Sequence, residues 1–172
     1  MTHARILVIK HGALGDLIQG FDAYAGLRAG HPEAHIALLT SPPFSGIARL
    51  MPWFDEVITD PRASVLRLSQ TFRLRSLFRA DWDMVIDLQC SRRTARYHRF
   101  LVPAGCRWFG TAEGASDPYP DFTGVNNAER MRIGIEMAGG DRNVTAGLDW
   151  LDSAAAGPDG DLLGATVLVP GC

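Results

Sequence analysis

Short, unbroken aliphatic runs alternate with longer amphipathic stretches along this chain. Residues 6–9, Ile-Leu-Val-Ile, leave no polar position to face water, the pattern of a strand covered on both faces. Gly12 and Gly15 follow. From Asp16 onward Leu17, Ile18, Phe21, Ala25 and Arg28 recur at helical spacing until Gly30, His31 and Pro32 stop them. Residues 36–39 repeat the strand pattern, Pro42-Pro43 introduces a short helix carrying Ile47 and Leu50, and Val57-Ile58 marks a brief third strand. A long helix is predicted over residues 64–79, with Leu68, Phe72 and Leu77 near one face. Residues 84–88 predict a fourth strand, 91–101 a helix and 107–109 a fifth strand. Residues 111–122 are rich in Gly, Pro and Asp without periodicity, as a loop would be, and 128–137 predict a helix stopped by Gly139-Gly140.

Alternation of this kind predicts an α/β fold, a doubly wound and mostly parallel sheet with right-handed crossovers. Residues 1–151 are expected to form one domain. Residues 152–164, small, flexible and acidic, have the composition of a linker. Residues 165–169 are a further buried-type strand, followed at once by Pro170-Gly171-Cys172. Such a strand normally leads into another loop and helix, so the sequence is expected to be part of a longer chain.

A length of 172 residues, 47% of them hydrophobic and 21% charged, suits one domain with a real core. The net charge of −2 gives no global field toward nucleic acid or an anionic membrane, although local clusters could still provide one. Cys90, Cys106 and Cys172 are odd in number with no close pair, which argues against a disulfide framework and a zinc knuckle and for idle thiols in a reducing compartment. No His, Asp and Glu cluster has metal-ligand spacing, so neither a metal nor another cofactor is expected. Residues 1–5 are too short for a signal peptide and nothing approaches a membrane span, so a cytoplasmic protein is expected, at most peripheral at an inner membrane.

The first strand delivers Lys10, His11, Gly12, Ala13, Leu14, Gly15 and Asp16 to the sheet edge where open α/β sheets bind ligands. Glycines permit a tight turn and close approach, and free backbone N–H groups at a helix start favour an anion. A dinucleotide fingerprint needs three glycines and an acidic residue after strand two; here only Gly12 and Gly15 keep the spacing, and Thr40 and Ser41 stand at the second position. No Gly-Lys-Ser/Thr occurs, which removes a P-loop. Asp16 has two readings, a functional carboxylate or a first-turn acid complementing the helix dipole. Lys10 could equally be a solvated strand end, and His11 an exposed loop residue.

The string from Ile6 to Gln19, ILVIKHGALGDLIQ, resembles the opening motif of the ADP-heptose:lipopolysaccharide heptosyltransferases, glycosyltransferase family 9. Further matches follow in order: HPEAHIALLT from His31, WFDEVI from Trp53, WDMVIDLQ from Trp82, the helix from Asn127 and VLVPG from Val167. The resemblance spans nearly the whole chain. It implies the Rossmann-like, acceptor-side N-terminal half of a two-domain GT-B glycosyltransferase, with residues 165–172 opening the nucleotide-sugar domain. It implies metal-independent, inverting transfer of heptose or a related sugar from an ADP-sugar donor to a lipopolysaccharide inner-core acceptor, an anionic lipid-linked saccharide. It places Asp16 as general base, and it implies that these residues alone, without the donor domain, are inactive.

An acceptor rich in carboxylates and phosphates calls for cations. Arg92, Arg96 and Arg99 recur at i, i+4 and i+7 on the helix after strand four, with Arg93 beside them. Arg92 and Arg93 lie nearest the strand's carboxyl end and join Lys10, His11, Gly12 and Gly15 as candidate acceptor or phosphate contacts; the alternative is an ordinary solvated face. Arg73, Arg75 and Arg79 read as plain surface charge. Two other functions stay open: another Rossmann-type nucleotide-binding enzyme, or a non-catalytic module binding a sugar or phosphate. A pI near 6.2 without an aromatic stacking run speaks against nucleic acid.

Overall fold

The aliphatic runs become neighbours in one sheet. The structure, a computed structural model, describes residues 3–62 and 68–154. In chain order the elements are β1 (Arg5–Ile9), α1 (Leu14–Ile18), α2 (Phe21–Gly30), β2 (His35–Thr40), α3 (Ser45–Ala48), β3 (Glu56–Thr59), α4 (Leu68–Phe78), β4 (Met84–Asp87), α5 (Arg92–Leu101), β5 (Arg107–Gly110), β6 (Asp117–Pro118), α6 (Asn127–Met137) and α7 (Asp149–Ala154). The six strands are ordered β3-β2-β1-β4-β5-β6 and every pair is parallel, so the α/β expectation holds.

β1 sits at the centre, with Ile6 opposite Ile36 on one side and Met84 on the other. Its four aliphatic residues are fully buried, which is why the run carries no polar alternation. The two-residue period divides the core. Ile6, Val8, Ile36, Leu38 and Ile86 pack with Tyr24 and Leu27 of α2 and Met131 and Ile135 of α6. Leu7, Ile9, Ala37, Leu39 and Val85 pack on the opposite face with Phe78 of α4 and Tyr97 of α5. The chain runs outward from β1 through β2 to β3, then crosses back to β4, so the strand order switches between β1 and β4.

Four expectations change. The helix expected from Asp16 to Arg28 is two helices, because the chain pivots at Gly20, where the buried Tyr24 ring occupies the space of a β-carbon. The expected loop 111–122 contains β6, recruited by pairing with β5 and by an Arg107–Asp117 ion pair of 2.6 Å, contacts that leave no periodic signal. Phe72 does not share the inner face of α4; Leu74, Leu77 and Phe78 do, and Phe72 is 67% exposed. The domain boundary expected after residue 151 falls inside α7, while residues 155–164 of the expected linker and the strand 165–172 lie outside the described residues.

α2 meets the end of α6 backbone to backbone. Asp141 N donates to Gly26 O at 2.9 Å, and a β-carbon on Gly26 would fall on the Asp141 carbonyl oxygen, one on Gly30 on that of Gly139. Gly26→Ala is expected to cost about 1–3 kcal/mol through this overpacking, lowering Tm by several degrees in thermal denaturation. Gly46→Ala, with open space around the new methyl, is expected to leave Tm nearly unchanged.

Candidate active site

At the carboxyl end of β1 the backbone keeps pairing for one more residue, Lys10 N donating to Leu39 O at 3.0 Å. That fixes the Lys10 side chain inside the molecule, with the residue 2% exposed, so it is no solvated strand end. Its Nζ donates to Leu88 O at 3.2 Å and stands 4.0 Å from Asp16 Oδ2. Burial pulls the Lys10 ammonium below its usual range, and the nearby Asp16, Cys90 and Asp87 partly restore it.

Asp16 lies in the first turn of α1 with its side chain 42% exposed. Asn127, the first residue of α6, donates from Nδ2 to Asp16 Oδ1 at 3.3 Å and to Gln19 Oε1 at 3.0 Å. Three elements thus converge on one carboxylate, beside the switch between β1 and β4. A cleft of about 490 Å³ opens there, with Lys10, Asp16, Gln89, Tyr119, Asn127 and Arg130 in its wall. Arg130 is held by carbonyls, Nε to Val125 O at 2.8 Å and Nη2 to Phe122 O at 3.1 Å, so its charge meets no carboxylate in an ion pair among the described residues. The Tyr119 hydroxyl is buried without a hydrogen-bond partner among the described residues.

The remaining candidates lie elsewhere. Gly12 has φ +124° and a β-carbon there would fall on the Phe44 ring, so the turn needs glycine; no neighbour demands one at Gly15. His11 is buried, not an exposed loop residue. Its Nε2 lies 3.2 Å from Asp60 Oδ2, just beyond β3, while its backbone N–H donates to Gln89 Oε1 at 2.9 Å. Asp60 also accepts from the Tyr97 hydroxyl, from Arg93 Nε at 3.3 Å and from Arg62 N at 2.8 Å. Burial alone would push this carboxyl up, but the nearby His11 ring, the Tyr97 hydrogen bond, the Arg62 N–H and the Arg93 charge hold it well below the carboxylate range. His11 and Arg93 therefore meet at Asp60, outside the cleft wall. Arg92 is exposed on α5 and does not line the cleft either.

Asp87, the last residue of β4, is buried and shapes the turn that presents Gln89, accepting from Gln89 N at 3.1 Å and Cys90 N at 2.9 Å. Burial pushes its carboxyl up to about 6, against the pull of Thr94, these N–H groups and His11. The Cys90 thiol is pushed up to about 11 by burial and by Asp87, and it donates to Asp87 O at 3.1 Å, so it is a poor nucleophile near neutral pH. No group of three His, Cys, Asp or Glu suited to a metal ion occurs among the described residues, and none of their helices is long and apolar enough to cross a membrane. Chemically, the cleft offers a half-exposed carboxylate beside one buried cation, Lys10, with a second, Arg130, in the same wall.

Asn127, Arg130, Tyr119 and Gln89 were not legible as site residues. Asn126, whose side chain accepts from Glu129 N at 2.9 Å, gives the sequence a visible helix start, but nothing local joins Asn127 to Asp16.

Because the folded Asp87 carboxyl holds its proton up to about pH 6 and the unfolded one only to about 3.9, the folded state binds more protons between those values. Its contribution to stability therefore falls as pH rises through that window, by about 3 kcal/mol in all. Urea unfolding of Asp87→Asn and the wild type across pH 4–7 is expected to show the difference moving in the variant's favour by that order as pH rises; a pH-independent difference would refute the assignment.

No family model matches the chain. Over 58 residues it is 34% identical to a Haemophilus influenzae protein named "Putative glycosyltransferase", a stretch that makes up 34% of this chain and 17% of that protein. Among solved structures it is similar to E. coli heptosyltransferase WaaC with ADP-2-deoxy-2-fluoro heptose, with TM-score 0.66 and 17% identity over 83% of this chain and 51% of that one. It is similar to a glycosyl transferase family 9 protein from Veillonella parvula, with TM-score 0.67 and 19% identity over 85% of this chain and 45% of that one. E. coli ADP-heptose lps heptosyltransferase II gives TM-score 0.57 and 21% identity over 83% of this chain and 42% of that one. The chain thus spans about half the length of the structures it matches. The resemblance carried by the sequence motifs and the fold agree: this six-stranded parallel sheet with flanking helices is the fold of heptosyltransferases and of a family 9 glycosyltransferase.

Proposed function

We propose that this chain is the acceptor-side part of a glycosyltransferase that moves heptose, or a related sugar, from an ADP-sugar to an anionic lipid-linked saccharide. The observation that carries the reading is Asp16: a half-exposed carboxylate at the strand-order switch, in a cleft wall, held by Lys10 and Asn127. WaaC is described with ADP and with an ADP-heptose analogue, which supports the donor class.

In the proposed step an acceptor hydroxyl oxygen attacks the anomeric carbon as the bond to the ADP oxygen breaks. The hydroxyl proton passes to Asp16, and a single displacement inverts the configuration. A positioned base contributes about 10²–10⁴-fold, and alignment in the cleft supplies more of the barrier reduction. Lys10 and Arg130 attract and orient the acceptor's anionic groups. Arg93 and His11 act indirectly, through Asp60, by fixing the loop that carries Lys10. No metal takes part in this scheme.

The strand order is also that of dinucleotide-binding enzymes. Two placements weigh against that reading. Asp16 occupies the first turn of α1, where a pyrophosphate would meet its charge, and the end of β2 offers Thr40 and Ser41 instead of an acid for the ribose.

Asp16→Asn in the complete enzyme is expected to lower kcat by about 10²-fold or more. Stability should change by only ~0.3–1 kcal/mol, from the lost dipole interaction. Turnover within a few-fold of wild type would leave Asp16 a first-turn acid only. Asn127→Asp sets a like charge beside Asp16, so the acidic limb of the pH–rate profile should move to higher pH, while Asn127→Ala, which only removes a hydrogen bond, should lower kcat with a smaller move in the same direction. An identical profile in both variants would remove Asn127 from the site.

A further inference from the structure

The arginines of α4 and α5 are clustered. Neither helix contains an acidic residue. Arg73 and Arg75 of α4, Arg79 just past its end, and Arg92, Arg96 and Arg99 of α5 form no ion pair among the described residues; Arg5, Arg49, Arg62 and Arg130 form none either, but only these six lie together on two neighbouring helices. The chain as a whole has more acids than bases, 19 against 17, so this is local segregation of charge.

The two helices lie on one face of the sheet, joined through Phe78 and Tyr97 with ring centroids 5.4 Å apart. Their inner positions, Leu74, Leu77 and Phe78 on α4 and Thr94 and Tyr97 on α5, are committed to the protein interior. The helical period therefore turns Phe72, Arg75 and Arg79 outward on one and Arg92, Arg96 and Arg99 outward on the other. Phe72 and Phe100, 67% and 69% exposed, are the most exposed large hydrophobics among the described residues. The Arg99 guanidinium rests 5.4 Å from the centre of the Phe100 ring. Glu113 borders the groove beside Arg96, Arg99 and Phe100, and Glu56 borders the one beside Arg73 on α4.

We propose that the outer α4–α5 face docks on an anionic lipid bilayer, its arginines against headgroup phosphates and Phe72 and Phe100 in the interfacial layer. Charge complementarity selects an anionic partner, and the two exposed rings gain only where apolar material lies beneath the anions. A soluble anion would leave both rings in water, and nucleic acid would call for aromatics that stack successive bases. The face lies over one side of the sheet and the Asp16 cleft opens at its carboxyl edge, so docking leaves the cleft open. The inference does not rest on the catalytic reading.

Co-sedimentation of the purified protein with phosphatidylcholine vesicles, and with equal mixtures of phosphatidylcholine and phosphatidylglycerol, tests it. Partitioning is expected to be at least tenfold stronger on the anionic vesicles at low salt and to collapse at high salt. Each substitution among Arg92→Gln, Arg96→Gln and Arg99→Gln should weaken it by about fivefold, and Phe72→Ser with Phe100→Ser should weaken it further with Tm unchanged. Arg49→Gln, an exposed arginine on the other side of the sheet, should have no effect. Equal binding to neutral vesicles, no binding, or wild-type binding by the triple arginine variant would overturn the proposal. So would binding to dextran sulfate as tight as to vesicles and indifferent to both phenylalanines, which would make the face a polyanion site. Turnover of a soluble acceptor by these variants should be normal, which separates failure here from failure of the assignment of Asp16.

Discussion

β1 is enclosed on both faces and both edges, and its chain must leave that enclosure at one end. The two polar residues that follow its last aliphatic position are buried as well, so each needs a partner before it reaches water. Lys10 finds Leu88 O and Asp16 on the β4 side; His11 finds Asp60 on the β3 side. The loop is thus stretched across the strand-order switch by two opposed buried contacts. Its shape, with Gly12 against Phe44, is a consequence of satisfying them.

The two contacts differ in how completely they are closed. Asp60 gathers His11, Tyr97, Arg62 N and Arg93, a near-saturated carboxylate in the interior. Removing one member of such a group leaves charge without compensation, at about 3–5 kcal/mol, so this side of the loop is built for rigidity. The other side is left open. Asp16 keeps much of its surface in the cleft, and Lys10 meets it at a distance too long for a good hydrogen bond. A rigid loop that exposes one loosely paired carboxylate suits a group that has to exchange a proton with a ligand.

Much of the fold was legible because burial on both faces imprints unbroken aliphatic runs, and the order of those runs fixes a parallel sheet. What escaped depended on partners far away in sequence. His11 and Arg93 read as acceptor contacts or exposed residues because nothing near either announces Asp60. Phe72 read as core because a helical period cannot tell which of two apolar stripes meets the sheet. β6 is held by its pairing with β5 and the Arg107–Asp117 ion pair, and the break before α2 turns on how Tyr24 packs over Gly20. In the site, the motif marked Lys10 and Asp16, but Asn127 and Arg130 enter from α6, more than a hundred residues on.

The proposed chemistry asks most of Lys10. An ammonium has three N–H donors, of which Leu88 O takes one, while Asp16 at 4.0 Å is held by charge more than by a hydrogen bond. Donor capacity is therefore left on the cleft side. Burial pulls the Lys10 ammonium below its usual range, and nearby anions oppose that pull. An anionic acceptor entering the cleft would be attracted by the cation that holds Asp16, and the same electrostatics would disfavour a second cation there. Selection for an anionic acceptor and orientation of the base would then be two effects of one buried side chain, placed by the requirement that the end of β1 be satisfied before it reaches water.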